Sequence, residues 1–364
     1  MNAAAKFGGL DPIMRLNRKV GASLNAVTDL HPILKLAGFG VSKGGLLDYA
    51  VKLQPQFSAI RIVLVGCGGT GSHLLPNILQ YIWADHLKAK TPLPEIILVD
   101  GDVVEQKNLV RQKFTATDLG VNKAAALARR YTGAFGMKIS AFEGFITDVA
   151  QLKKIAPYDK SNLIIGAVDN HRARKIIWEH HLGNGGRHPS FWVDGGNEGW
   201  HGQVVLGVHF SPSYYNNETY GTPWTDAGIG EKIGCVEIPN FFDEYATDFM
   251  KIGGVPVVPQ NDCANMVEEE PQTIQANMMS AFCATQLVIQ VLSKEIRTSS
   301  IYFDAKFGNT SAKVLTKTNL SKNFLAITES RKAIANFLVG LNLGNDDVLR
   351  DYPFLQQIER QFVV

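Results

Sequence analysis

Cysteine is scarce in this chain. Its 364 residues contain four thiols and no Cys-x-x-Cys pair, which excludes a disulfide framework and a cysteine-rich structural zinc site and fits a reducing compartment. Charge of one sign is equally lacking: 36 Lys and Arg against 34 Asp and Glu leave a formal +2, too balanced for a broad nucleic-acid or membrane footprint. No apolar run reaches the roughly 18 residues of a membrane span, and Met1 to Gly9 lacks the charged-then-apolar layout of a signal peptide. These absences predict a cytoplasmic protein with neither a nucleic acid nor a membrane as partner. The histidines include no HExxH pair, and the adjacent His180 and His181 point to different parts of a helix surface, so no metal site is expected there. What is present is 45% hydrophobic and 19% charged residues, the composition of a folded globular chain with two domains or one large α/β domain.

The chain is punctuated as alternating strands and helices. Ile62-Val63-Leu64-Val65 is a short, β-branched apolar run ending in glycine, as in a strand buried on both faces of a parallel sheet. Leu74, Leu75, Ile78, Leu79 and Ile82 then recur at helical spacing, 91–94 breaks that helix, and Ile96-Ile97-Leu98-Val99 supplies a second buried strand. A helix over 123–131, a weak strand near Ile139, a strand over 163–168, a helix over 173–182 and strands at 191–193 and 203–208 continue the pattern. The expected fold class is α/β: a doubly wound, mostly parallel, Rossmann-like sheet with right-handed crossovers. It should occupy residues 60–317, after a helical N-terminal extension (1–59) and before a helical C-terminal tail (318–364). A loop-rich insertion at about 211–270 interrupts it, rich in Pro, Gly, Asn and aromatics up to 262, and such long loops are usually functional or disordered. Glu268-Glu269-Glu270-Pro271 then opens the longest helix, with proline in its first turn and acids at its positive end, running to about Ile296. Strands at 301–303 and 313–315 close the sheet.

Gly66-Cys67-Gly68-Gly69-Thr70-Gly71 lies between the first strand and its helix, where a phosphate-binding GxGxxG belongs. Its glycines let backbone N–H groups at a helix N-terminus approach a phosphate. Taken alone, the motif is commoner as a dehydrogenase NAD site, and a structural turn also fits. The residues that follow discriminate. The second strand ends in Asp100, an acid able to hold ribose hydroxyls, and Asp102, Asn108, Arg111, Gln112 and Lys123 come after it. A dehydrogenase gains nothing from Arg111 and Lys123 there, whereas a nucleoside triphosphate needs fixed positive charge as pyrophosphate leaves. Singly, Arg111, Lys123 and Asp102 also read as surface charges and Asn108 as a turn residue. Asp169 ends the fourth strong strand, where open α/β sheets place ligands and where a magnesium ion bridging phosphates wants one or two carboxylates. Its structural role would be a helix N-cap.

Together GxGGxGS, DxDxVxxxNLxRQ and the following lysine resemble the ThiF/MoeB/ubiquitin-activating enzyme superfamily over about residues 60–317. The resemblance implies ATP-dependent adenylation of the C-terminal glycine of a small ubiquitin-like protein. Gly66, Gly68, Gly69, Gly71, Asp102 and Asn108 would line the nucleotide site, with Asp100 on the ribose. Arg111, Gln112 and Lys123 would meet the phosphates, and Asp169 would hold Mg2+. It also implies a homodimer, to which Arg15 or Arg18 would lend an arginine across the interface; a solvated basic helix face is the plainer reading of both. The zinc-binding cysteine pairs common in ThiF and MoeB are missing, which leaves closure of the domain to packing. The stretches 192–197 and 202–207, and the C-x8-Q-x4-N arrangement of Cys263, Gln272 and Asn277, are similar to ThiF-family proteins of bacterial PRTRC gene sets and ubiquitin-like operons. The segment from Gly195 to Gln203 is expected to guide the partner's tail.

Cys263 is the candidate nucleophile for a thioester, because it precedes a long helix whose N-terminus favours thiolate; Asp262 and Glu268 to Glu270 push against that. Cys235 is the second candidate, while Cys283 and Cys67 are expected to be core fillers. A conjugating-enzyme-like protein would be a further partner. Two other readings stay open: a nucleotide-binding scaffold for a ubiquitin-like protein without thioester chemistry, and a ThiF-like sulfur-carrier adenylyltransferase.

Overall fold

The computed structural model describes residues 51–52, 60–183, 188–209, 238, 240–244 and 273–315. Strand β1 (Val51–Lys52) is followed by β2 (Ile60–Val65), α1 (Gly69–Ala89), β3 (Glu95–Val99), α2 (Lys123–Phe135), β4 (Ile139–Phe142), α3 (Val149–Ile155), β5 (Ser161–Gly166) and α4 (His171–Leu182). Then come the hairpin β6 (Ser190–Glu198) and β7 (His201–His209), the short α5 (Phe241–Glu244), α6 (Ile274–Leu292), β8 (Glu295–Ile296), β9 (Thr298–Asp304) and β10 (Asn309–Val314). Eight strands form one sheet in the order β10-β9-β7-β6-β5-β2-β3-β4. The five from β4 to β6 run parallel; β7, β9 and β10 add antiparallel neighbours. The expected Rossmann-like, mostly parallel sheet is the fold of this protein.

The order dictates where a ligand can sit. From β2 the chain builds outward through β3 to β4, then returns to lay β5 on the other side of β2. That reversal opens a crevice beyond the carboxyl ends of β2 and β5, the place where open α/β sheets bind ligands. All six residues of β2 and of β5 are buried, as strands flanked on both edges and covered on both faces must be. Leu74, Leu75, Ile78 and Leu79 of α1 are fully buried, so the helix that starts at the crevice is fixed by its own apolar stripe.

Several expected boundaries move. The strand placed at 163–168 begins earlier, at Ser161, and stops at Gly166, where a Cβ would lie 2.5 Å from the Asp194 carboxylate; the next residue, Ala167, still donates its N–H to the Val65 carbonyl. Helix α2 runs on to Phe135, where Gly136 adopts the left-handed conformation (φ +65°) and caps it. Helix α6 begins after Thr273, whose side chain accepts from the Ala276 N–H; the three glutamates and Pro271 expected to open it lie outside the described residues. It ends at Leu292, not Ile296, since Lys294 takes a positive φ of 61° and Glu295–Ile296 pairs with β1. That pairing also puts a strand, not a helix, at Val51–Lys52 of the N-terminal extension.

The insertion is not all loop either. Ile238 bridges to Val208, and Phe241 and Phe242 join Trp178 and Trp192 in the core, the Phe242 ring standing edge-on to Trp178 at 6.1 Å. Helix α3, capped by Asp148, is an element the periodicity did not announce. The rest of 1–59 and of 211–270, and the whole tail 318–364, lie outside the described residues. Among those described, no helix is long and apolar enough to cross a membrane.

Candidate nucleotide site

The four motif glycines have different jobs. Gly66 sits at φ +94°, and a Cβ there would be 2.3 Å from the Ala167 carbonyl oxygen; only glycine makes this turn out of β2 towards α1, so close to the end of β5. Gly71 lets α1 pass against the strand end, since its Cβ would lie 2.0 Å from the Gly66 carbonyl. At Gly69 the obstacle is a side chain, the Asn277 amide at 2.5 Å. Gly68 alone is open, its closest neighbour being the Gln112 amide at 3.7 Å. Gly68 is also the N-cap of α1: it makes no side-chain cap, and no acid occupies the first turn. The opening N–H groups of α1, with the helix dipole behind them, thus carry neither a side-chain cap nor a neighbouring acid, the arrangement that suits an anion.

Asp100, at the end of β3, ties this loop to the next. Its two oxygens accept from the Cys67 N–H (2.6 Å) and the Asp102 N–H (2.8 Å). Burial lifts the Asp100 carboxyl above the usual carboxylate range, opposed by those two donors and by the Lys123 ammonium. Each oxygen keeps a further acceptor site. Asn122 caps α2 and donates to the carbonyls of both Asp100 and Asp102. Lys123, the first residue of α2, is buried and pairs with the half-exposed Asp102 carboxylate at 2.8 Å.

Between them, 103–122 crosses the mouth of the crevice. Ser72 of α1 accepts from the Lys113 N–H and His73 contacts the Arg111 carbonyl, which anchors the backbone under Arg111 and Gln112. Gln112 is buried against Gly68 and its Oε1 has no hydrogen-bond partner. Among the described residues no ion pair engages the Arg111 guanidinium. Asn108 is buried, and its Oδ1 accepts from the Glu105 N–H; its observed contact is the turn that shapes this crossing. Asp169 lies exposed past β5. The N-cap of α4 is Asn170, which accepts from the Ala173 N–H, so the structural role foreseen for Asp169 belongs to its neighbour and the Asp169 carboxylate faces solvent.

A model of the ThiF family matches residues 42–322 of the chain. This protein belongs to the ThiF family. Among solved structures, it is similar to E. coli MccB with ATP, at 15% identity and a TM-score of 0.42 over 71% of this chain and 65% of that one. It is also similar to E. coli MccB with AMPCPP and MccA, at 16% and 0.43 over 86% and 80%. The third is the microcin C7 biosynthetic enzyme MccB with N-formylated MccA, at 15% and 0.42 over 71% and 65%. The chain thus spans a little under two thirds, 65%, of the length of the first of these structures. No curated protein matches the chain.

On this ThiF-family fold the structure brings together Gly66, Gly68, Gly69, Gly71, Asp100, Asp102, Gln112 and Lys123 around one crevice, with Arg111 on its rim. Cys263 and Cys235, and likewise Arg15 and Arg18, lie outside the described residues. Cys67 and Cys283 are buried; burial pushes the Cys67 thiol well up and the Cys283 thiol to about 11, so both are the inert fillers expected. His180 and His181 hydrogen-bond to the Ala156 carbonyl and the Ser190 hydroxyl, and no group of three metal-ligating side chains occurs among the described residues.

Sequence reasoning missed three features beside this site. Arg174 of α4 donates to Asp194 of β6 at 2.7 Å and to the Val168 carbonyl at 2.9 Å, with both side chains buried; an acid directly after the apolar run Phe191-Trp192-Val193 was the available signal, because a buried carboxylate needs a partner. Phe145 is 62% exposed, yet its ring covers Gly101 beside Asp100, 2.4 Å from where a Cβ would be. Asn277 and Ser280 of α6 are fully buried against Gly69 and Gly195, a contact no local pattern could announce.

Proposed function

We propose that this protein activates the C-terminal carboxylate of a ubiquitin-like protein by ATP-dependent adenylation and then receives the acyl group on Cys263. The observation that carries the reading is the uncapped start of α1, open at Gly68 and flanked by the cations Lys123 and Arg111. Fixed N–H donors and fixed positive charge suit a triphosphate whose pyrophosphate must depart. Asp100 would accept from the ribose hydroxyls, and Phe145 offers an exposed ring for the base to stack on.

In the first step a carboxylate oxygen of the partner bonds to the α-phosphorus as the bond to the bridging oxygen breaks and pyrophosphate leaves. Gly68 and the first N–H groups of α1 hold the α-phosphate in line, while Arg111 and Lys123 stabilise charge on the departing group. Lys123 comes to this task already oriented by Asp102. Asp169 fits a magnesium ion that arrives with the nucleotide: one exposed carboxylate leaves the other ligand positions to phosphates and water. Such an ion would supply charge neutralisation between the phosphates. In the second step the Cys263 thiolate attacks the acyl carbon and AMP leaves. The segment from Gly195 to Gln203 would guide the partner's tail, and a conjugating-enzyme-like protein would take the product. A homodimer in the cytoplasm completes the reading.

The test is intact mass spectrometry of the protein mixed with ubiquitin-like candidates and Mg·ATP. An acyl-adenylate of the partner and a reductant-sensitive adduct on the enzyme should both appear. Cys263→Ala should abolish the adduct and leave pyrophosphate exchange near the wild-type rate. A persistent adduct in that variant transfers the role to Cys235. Adenylation without any wild-type adduct removes the thioester step, and binding of ATP and partner without adenylation leaves a scaffold.

A further inference from the structure

Gly69 is usually the kind of residue explained by a phosphate that must come close. Here its missing side chain is accounted for by another residue. The space a Cβ would fill is occupied by the whole amide of Asn277, with Nδ2, Cγ and Oδ1 at 2.5, 2.7 and 2.7 Å, so the amide lies face-on against the loop. Asn277 is in the first turns of α6 and fully buried. Its Oδ1 accepts from Asn197 Nδ2 at 3.2 Å, near the end of β6, and its own Nδ2 has no hydrogen-bond partner. One turn on, Ser280 lies 3.1 Å from where a Gly195 Cβ would be, and Thr70 of α1 is 3.8 Å from the same point. A single face of α6 therefore touches the phosphate loop at Gly69 and the β6 backbone at Gly195, and Asn277 is the side chain that contacts both elements.

We propose that Asn277 is a positioning residue for the nucleotide site: its amide sets where the phosphate loop stands at Gly69 and ties that loop through Asn197 to the end of β6. The unpaired Nδ2 beside an anion-binding loop explains why an amide serves where a carboxylate of the same shape would not. An Asp side chain could still accept from Asn197, but it would set negative charge against the loop that must receive phosphate. This inference rests on the ATP-site reading of the preceding subsection for its functional half; the contact between Asn277 and Gly69 stands without it.

The experiment uses the full chain and four variants, reading thermal midpoint without nucleotide and Mg·ATP affinity by calorimetry. Gly69→Ala should lower the midpoint and weaken ATP at least tenfold, because its methyl group meets the amide. Adding Asn277→Ala to Gly69→Ala should restore both to within about threefold in affinity of Asn277→Ala alone. Asn277→Asp, whose carboxylate would be buried without a charged partner, should lower the midpoint, and at a temperature where it is folded it should weaken ATP at least tenfold and more than Asn277→Ala does, an order that a purely structural contact would not impose. Failure of the double variant to recover the midpoint overturns the contact as the reason for glycine. Wild-type ATP affinity in a well-folded Asn277→Asp overturns the positioning role. If the wild-type protein itself binds no ATP, the functional half and the ATP-site reading both fall, and recovery of the midpoint in the double variant still decides the contact.

Discussion

At the amino ends of β2, β3 and β5 the polar side chains hold one another; at the carboxyl ends of the same strands they wait. Arg61, at the start of β2, is 5% exposed in its side chain and donates to Glu95, to both oxygens of Asp159, to Asn162 and to the Pro157 carbonyl. Close by, His180 Nε2 meets the Ala156 carbonyl at 2.7 Å and the Tyr158 hydroxyl donates to the His180 carbonyl. At the other end of the strands, Gln112 Oε1, Asn277 Nδ2 and Ser280 Oγ are buried without partners, the start of α1 is uncapped and Asp169 is exposed. The amino ends also keep two buried atoms without partners, Ser161 Oγ and His180 Nδ1, so the contrast is one of charge and capping: the Arg61 guanidinium is engaged by two carboxylates, whereas the start of α1 carries no cap and no acid in its first turn. The two ends therefore separate substitutions that should stop chemistry from those that should unfold the chain.

The largest effect expected is on chemistry. Lys123→Ala should slow partner-dependent pyrophosphate exchange by about a thousandfold, about 4 kcal/mol of transition-state stabilisation. The thermal midpoint should hardly move, because the Asp102 left behind is half exposed and can be solvated. A large drop in midpoint with exchange retained would reverse the division between the two ends.

Arg61→Ala is the complementary break. It should cost about 3 kcal/mol of stability, visible as a lower urea midpoint, while the affinity for Mg·ATP in the folded protein stays unchanged. The contrast extends to pH. Burial holds the imidazole of His180 down at about 4, against an ordinary 6.5. Between those values the unfolded chain binds a proton that the folded one does not, so stability should fall as pH drops from 6.5 towards 4, by up to about 3 kcal/mol. His180→Gln should flatten urea midpoints measured across that window; an unchanged slope would assign the acid sensitivity elsewhere.

The smallest effect expected is at Phe145. Phe145→Ala removes a ring that is already 62% exposed, so stability should change by less than about 0.5 kcal/mol. The affinity for ATP should fall several-fold, about 1 kcal/mol of lost stacking. Equal losses for ATP and for inorganic triphosphate would show that Phe145 does not face the base.

The legible part of this molecule was the part written locally. The apolar run of β2, the glycines after it and the spaced leucines of α1 are contiguous, so strand, turn and helix were readable together, and Asp100, Arg111 and Lys123 followed within one crossover. Helix ends were harder because several caps competed: Thr273 displaced the acidic, proline-marked start expected for α6, and Asn170 took the cap foreseen for Asp169. Contacts between distant segments were not written locally at all. Neither Asn277 against Gly69 nor Phe241 and Phe242 against Trp178 leaves a periodicity to find, although Arg174 with Asp194 left one clue in the buried acid.

The proposed function requires the crevice beyond β2 and β5 to receive a nucleoside triphosphate. Calorimetric titration of the full chain with Mg·ATP and, separately, with NAD tests it most directly, with Arg111→Ala alongside. Mg·ATP should bind saturably and at least tenfold more weakly in Arg111→Ala, and NAD should bind much more weakly or not detectably. NAD binding tighter than Mg·ATP, or ATP binding indifferent to Arg111, would contradict it.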